Sequence, residues 1–521
     1  MPHTALQIPE LVNLICSYLT PYSRASLAQT CTDLLEPALD SLWETQTAYR
    51  LLSSTLTCVL EISPAKHGDL IMSCDGEPTD EQWDRVAYYG PRIKTLKISQ
   101  PPGRGLGALC LAPLMVDSFQ LGHATHKNEE ERRPSLERAL WIRQGLPSLS
   151  LKLQEAKPAP ELAAELQALV DPCLVEFRVQ VEYRTPYLES SLTEILRQCP
   201  ALEQVELSYI SAEGVKAVAA LPALRDLTVS RVTEVDESAV EETAFPALQT
   251  LNMFWTMSDR VIGLLRQLST ARDLVEVAVP LRSPTTSPAN YTNRYATLLQ
   301  TLAQNCNPGS LSRLSLIDDT LYGPSRYRQS QPFYTLLYDH LRPLRPLRAL
   351  TKLHIAPWGH VDLEDSDVEA LSSSWPLLEE LRVERSPQFA ATTEDFPIRT
   401  THRSLLSIAK HCTNLAHLEF TFDVTGLSDG NGRPGEGLTQ TALEHLHLGD
   451  SIWGDTRTFA LFLSDLFPSL KVVSSDAMLA AELTDEGDET PLEYLEVQKL
   501  QELVSCTIEA RLQERMYLAQ Q

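Results

Sequence analysis

Leu377-Leu378-Glu379-Glu380-Leu381-Arg382-Val383 is one instance of a phrase that recurs along this 521-residue chain. It returns as ALEQVEL from Ala201, ALRDLTV from Ala223, ALQTLNM from Ala247, DLVEVAV from Asp273, LSRLSLI from Leu311 and ALTKLHI from Ala349. Three further copies are NLAHLEF from Asn414, ALEHLHL from Ala442 and SLKVVSS from Ser469. The last two apolar positions of each copy alternate with polar ones, as in a strand that buries one face and exposes the other. Between copies, apolar residues at helical spacing predict helices over 213–220, 259–268, 294–304, 365–373, 404–411 and 457–466. Each unit is therefore a strand, a turn and a helix, and none can bury its apolar face alone, so neighbours must stack.

The leading apolar residues of the copies are separated by 22 to 39 residues. The short spacings match a leucine-rich repeat, and the long ones imply insertions. A proline precedes five of the strands, at Pro200, Pro222, Pro246, Pro376 and Pro468, where it stops the helix and starts the turn. The fold class expected is α/β: a leucine-rich-repeat solenoid over residues 92–475, with parallel inner strands and outer helices. Weaker phrases from Arg92, Leu146 and Leu174 extend it toward the N-terminus, and residues 123–134, 282–293, 386–401 and 425–439 read as loop insertions. An acidic stretch at 476–491 reads as a solvated loop. Residues 492–521 then space their leucines as an amphipathic helix that caps the array.

The N-terminus is different. Ile8-Pro9-Glu10-Leu11 leads into Leu14, Ile15 and Leu19 on one helical face, Thr20-Pro21 breaks that helix, and Leu27, Cys31, Leu34 and Trp43 continue at helical spacing. This small all-α module, residues 1–50, resembles the F-box, and a connecting helical segment over 51–91 would join it to the repeats. The resemblance implies a Skp-type adaptor as partner, and through it a cullin, with Ile8, Pro9, Leu11, Ile15, Leu19, Leu27 and Trp43 as adaptor-binding residues. Where many F-boxes carry a basic and an aromatic residue after the Cys position, this chain has Thr32-Asp33-Leu34. A Pro-led helical module followed by leucine-rich repeats is similar in order to F-box substrate receptors, the irregular-repeat fungal ones especially.

A net charge of -25 and a pI near 4.9 argue against a nucleic-acid backbone or an anionic membrane as partner. Ten cysteines without a CxxC pair read as reduced core residues, which places the protein in the cytoplasm and/or nucleus. Gly426-Leu427-Ser428-Asp429-Gly430 has the letters of a nucleophile elbow but runs into Asn431-Gly432-Arg433-Pro434, not into a helix. The Gly103/Gly105/Gly107 spacing misses the dinucleotide and phosphate-loop patterns. His123 with His126 lacks a third ligand, and the carboxylates at 362, 364, 365 and 367 lack the glycine and closing glutamate of a calcium loop. The expectation is a non-catalytic protein with no cofactor and no metal.

Within each phrase, the residue between the final two apolar positions should point off the inner face, with a second row two residues on. These rows nominate Glu206, Asn252, Phe254, His354, Arg382, Glu384, Glu419 and His447, with Trp358 beside them, as substrate-binding residues. The resulting reading is the substrate-recognition subunit of a Skp-cullin-F-box ubiquitin ligase, its target unnamed. The alternative is a leucine-rich interaction scaffold or inhibitor with no ligase role.

Overall fold

The computed structural model describes residues 9–47, 60–64, 70–74, 80–99, 147–153, 167, 172–181, 185–233, 244–268, 273–280, 288–318, 334–357, 359–384, 397–427, 435, 437–476 and 492–520. Ile8, Trp358, Ser428 and most of the expected loop insertions lie outside them. The chain forms two compact units, residues 1–234 with 245–247, and residues 235–244 with 248–521.

The first unit opens with α1 (Pro9–Tyr18), α2 (Pro21–Ala28) and α3 (Thr32–Trp43). Proline starts α1 and α2, where a missing N–H costs nothing. Val12 and Cys16 of α1 meet Ala28, Leu34 and Ala38 in a small core, with Leu27, Cys31, Leu35 and Leu39 against it. There follow β1 (Thr45–Thr47), an antiparallel hairpin of β2 (Leu60–Pro64) and β3 (Leu70–Cys74), α4 (Asp80–Tyr89), β4 (Thr95–Ser99), β5 (Ser148–Leu153) and β6 (Glu176–Val181). The unit continues through α5 (Pro186–Gln198), β7 (Gln204–Ile210), α6 (Ala212–Ala219) and β8 (Asp226–Val232). Its strands run parallel in the order β1-β4-β5-β6-β7-β8.

Two boundaries differ from the sequence reading. The first strand of the sheet is Thr45–Thr47, directly after α3, and not the phrase at Arg92. Three residues are too short to carry a periodic signal, so β1 is invisible until β4 pairs with it. The segment 51–91 is also not wholly helical, since β2 and β3 occupy part of it.

The second unit contains β9 (Thr250–Met253), α7 (Ser258–Gln267), β10 (Glu276–Pro280), α8 (Pro288–Asn305), β11 (Arg313–Ile317), β12 (Tyr334–Leu337), α9 (Tyr338–Leu341), β13 (Lys352–Ala356), β14 (Gly359–Asp362) and α10 (Asp365–Ser372). Next come β15 (Glu380–Val383), α11 (His402–His411), β16 (His417–Glu419), β17 (Asp423–Val424), β18 (His445–His447), β19 (Ile452–Trp453), α12 (Thr456–Leu466), β20 (Val472–Ser474) and α13 (Leu492–Gln520). The main strands pair in parallel in the order β9-β10-β11-β13-β15-β16-β18-β20. Two short parallel ribbons, β12 with β14 and β17 with β19, were not foreseen. Five of the six sequence-predicted helices start and end within two residues of expectation, while α8 begins six residues early at Pro288.

One device joins successive strands. The carbonyls of Val175 and Glu203 in the first unit, and of Gln249, Val275, Ser312, Thr351, Glu379, Ala416 and Glu444 in the second, each accept two consecutive N–H groups from the next repeat. The apolar residues of each phrase, such as Leu353, Ile355, Leu381 and Val383, are buried together on the helix side. Buried Gln440 adds a side-chain link between two of these repeats. Its Nε2 donates to the carbonyls of Cys412 and Leu415, and its Oε1 accepts from Ala442 and Leu443 N–H. At the far strand, Gln501 of α13 donates to Lys471 O at 3.0 Å and accepts from Val473 N–H, so a side-chain amide satisfies part of the sheet edge. Val497, Leu500, Val504 and Ile508 of α13 are buried.

Candidate functional site

Two surfaces are candidates, and they differ in chemistry. The first lies on α1 and α2. Leu11, Leu14, Ile15 and Tyr18 stand at i, i+3, i+4 and i+7 on α1, so they share one helical face. Val12 and Cys16 take the opposite face into the module's core, which leaves that apolar row in solvent. Leu14 is 55% exposed and Tyr18 83%, and Tyr22 at the head of α2 is 84% exposed. Burial of such a row would gain about 1.5–3 kcal/mol per large side chain.

Of the residues nominated from the sequence, Leu11 and Ile15 stand on this face. Leu19 is half-buried just beyond the end of α1, and Leu27 packs against the module's own core. Trp43 is a correction: it is buried and stacks on Tyr89 at 4.3 Å, so it joins α3 to α4 and is not on the open face. Pro9 begins α1. Sequence reasoning missed Leu14, Tyr18 and Tyr22 as docking residues, although the i+3 and i+7 spacing from Leu11 was there to be read.

The module is tied firmly to the strands that follow. Arg92 donates to both Glu36 and Asp40 of α3, and its guanidinium lies 4.8 Å from the Tyr88 ring. The Arg92 guanidinium and the Tyr88 hydroxyl hold the Glu36 carboxyl below the usual range. Lys94 N–H donates to Glu44 O at 2.9 Å, and its ammonium pairs with the Glu44 carboxylate at 3.0 Å. Arg24 of α2 donates to Cys16 O at 2.7 Å and Ser41 O at 3.0 Å, linking the three helices through carbonyls near the C-terminal ends of α1 and α3. A polar cavity of about 670 Å³ lies among Arg24, Glu36, Asp40, Tyr88, Arg92 and Lys94.

The second surface is the accessible side of the sheet in the second unit. Strand register sets Ser315, His354, Arg382, Glu419, His447 and Ser474 side by side on successive strands. Four of the nominated residues therefore form one continuous row. Glu384 joins them through His354, whose Nε2 lies 2.5 Å from its carboxylate. Asn252 is on β9, and Phe254, 44% exposed, follows that strand. Glu206 belongs to the first unit, where Gln180 donates to it at 2.5 Å.

The row one step earlier in each phrase was missed, although strand alternation places it on the same face. It runs Glu276, Arg313, Lys352, Glu380, His417, His445. Its charges pair internally: Arg313 with Glu276 at 2.8 Å, and Lys352 and Arg382 with Glu380 at 2.9 and 2.7 Å. Burial raises the Glu380 carboxyl, but these cations and His417 outweigh it and hold the group below its ordinary value. His417 and His445 stack with ring centres 4.6 Å apart and planes within 3°. Burial and the neighbouring His445 push His417 down, against Glu380.

His447 is the hub of the last three strands. Its Nδ1 lies 2.9 Å from Ser474 Oγ and its Nε2 3.0 Å from Asp476, with Glu419 at 3.9 Å. Burial lowers its pKa, yet the bond to Asp476 and the carboxylates of Glu419, Asp476 and Glu384 together raise it above the ordinary histidine value. Burial and the Glu384 charge push Glu419 up. Arg382, His417, Glu419, His445, His447 and Ser474 border an open depression of about 200 Å³. Among the described residues, no group of three or more His, Cys, Asp or Glu is arranged to hold a metal ion. None of the described helices is long and apolar enough to cross a membrane.

No family model matches the sequence, and no curated protein matches it. Among solved structures, the crystal structure of the Rad7 and Elc1 complex from yeast is similar at 15% sequence identity, covering 58% of this chain and 76% of that chain with a TM-score of 0.30. A likeness of that degree bears no functional weight, and what remains is an α/β chain of parallel strands and intervening helices with an apolar face on its first two helices.

Proposed function

We propose that the chain is the target-receptor subunit of a cullin-based ubiquitin ligase, docking a Skp-type adaptor through α1 and α2 and presenting a target protein on the accessible side of its parallel sheet. The observation that carries the proposal is the row Leu11, Leu14, Ile15 and Tyr18 with Tyr22, apolar side chains that the module's own core leaves in water. Contiguous apolar patches of this kind mark interaction sites. The receptor would act by proximity, holding target lysines near a conjugating enzyme that it does not touch, so it needs no catalytic group of its own.

The test is capture of the full-length chain on an immobilised Skp-type adaptor. Wild type is retained, and Leu14→Ala with Tyr18→Ala is lost while its melting temperature stays the same. Equal retention of the double variant rejects the reading.

A further inference from the structure

The tripeptide Thr-Pro-Tyr occurs twice among the described residues, each time heading a helix: Thr20-Pro21-Tyr22 before α2 and Thr185-Pro186-Tyr187 before α5. The two copies are opposite in access. Thr185 is 1% exposed, whereas Thr20 is exposed between Tyr18 and Tyr22, the two most exposed large side chains of the apolar face. The Thr20 backbone is extended, with φ -65 and ψ 156, and Pro21 fixes the turn after it. Its Oγ1 accepts from Ser23 N–H at 3.2 Å and lies 3.0 Å from Ser23 Oγ, so the hydroxyl sits at the surface over the first turn of α2.

The geometry points to Thr20 as a phosphorylation site for a proline-directed kinase, and to the phosphate as an off-switch for the apolar docking face. In the step itself the γ-phosphorus of ATP bonds to Thr20 Oγ1 as its bond to the β,γ-bridging oxygen breaks. The hydroxyl proton passes to the kinase's base, and ADP leaves. The product carries a charge of about -1.5 to -2. Its oxygens replace the hydroxyl as acceptors for the open N–H groups of α2, so the helix keeps its cap. The cation nearest in sequence, Arg24, already donates to carbonyls of Cys16 and Ser41. A dianion between Tyr18 and Tyr22 must then lose its water whenever an apolar partner covers this face, and that cost opposes docking.

The inference rests on the adaptor-docking reading for its consequence but not for the modification, and one experiment separates them. Full-length protein is treated with a proline-directed kinase and ATP, the sites are mapped by mass spectrometry, and capture on the Skp-type adaptor is measured before and after. Thr20 is expected to be modified and Thr185 spared, with capture weakened roughly tenfold or more. Thr20→Asn, which keeps a capping side chain without a phosphorylatable hydroxyl, should hold its capture through the same treatment. Three outcomes overturn the proposal: Thr20 left unmodified while other Ser-Pro or Thr-Pro sites react, modification with capture unchanged or strengthened, or equal weakening of Thr20→Asn. Untreated chain that is not captured rejects the adaptor reading itself, and the switch with it.

Discussion

The face on α1 and α2 and the accessible side of the second unit's sheet sit at opposite ends of one chemical scale. On the first, apolar side chains at helical spacing meet water, uncovered among the described residues. On the second, charged side chains at strand spacing already hold one another: Glu276 with Arg313, Glu380 with Lys352 and Arg382, His354 with Glu384, His447 with Asp476. The contrast separates two ways to bind. A partner of the first surface gains by covering apolar area. A partner of the second must replace existing pairs, which favours discrimination over raw affinity.

The largest expected effect comes from exchanging the two kinds of leucine. Leu381 is buried under β15, and Leu381→Ala should cost about 2–5 kcal/mol, read from urea melts, with adaptor capture intact in the folded fraction. Leu14→Ala should shift stability by no more than about 0.5 kcal/mol and still weaken capture, since that side chain is more than half exposed. If both variants lose stability alike, the face on α1 is covered within the protein and the comparison collapses.

Next in size is the tie between the module and the sheet. Arg92 is largely buried and holds two carboxylates of α3. Arg92→Ala should destabilise the first unit by about 1–2 kcal/mol, because its charge-assisted bonds and its stacking on Tyr88 are lost while the two carboxylates, more than half exposed, regain water. Hydrogen exchange should speed up first at Lys94 N–H, which is bonded to Glu44 O. Exchange unchanged there would show that the β1–β4 pairing needs no help from Arg92. Deletion of residues 1–51 removes β1 as well as the helices, so a truncated chain tests the sheet edge along with the adaptor face.

Much of this was legible because repetition is a sequence property. Two leucines every 22 to 39 residues fix strand, face and neighbour at once, and the polar row through His354, Arg382, Glu419 and His447 followed from alternation. What escaped reading depends on distance partners. β1 is three residues whose pairing lies 50 residues on, and the β12–β14 and β17–β19 ribbons join loops to loops. Trp43 stands among the adaptor-binding residues in the sequence, and only Tyr89, supplied by α4, decides for the core. At the second surface, the row Glu380, His417, His445 follows from the same alternation as its neighbour, two residues earlier on each strand.

A smaller effect is expected at Asp365, a half-buried carboxylate of the second unit. Its carboxylate accepts from Thr401 N–H and Oγ1 at 2.7 Å each and from Ser404 Oγ at 2.5 Å, tying α10 to the start of α11. Burial raises its pKa, but these bonds outweigh burial and hold it below the ordinary value. A folded-state value below the unfolded one, about 3.9, means the contribution is complete above that pH and is lost as pH falls through the folded value. Asp365→Ala should cost about 1 kcal/mol at pH 7 and clearly less near pH 3. A cost that does not change with pH would assign the loss to packing.

The smallest effect has the opposite sign with pH and probes whether the charged surface is already satisfied. Ser474, Asp476, Glu419 and Glu384 face His447, and the carboxylates raise its pKa. A raised folded value means the pairing contributes fully below the unfolded value of about 6.5 and fades as pH climbs through the folded one. The stability gap between wild type and His447→Gln should therefore be widest near pH 6 and shrink toward pH 9, by less than about 1 kcal/mol. A gap that widens with pH would mean burial dominates and the imidazole prefers to be neutral. In that case Glu419 and Asp476 would stand without a cation between them, and the second surface would no longer contrast with the first by being complete.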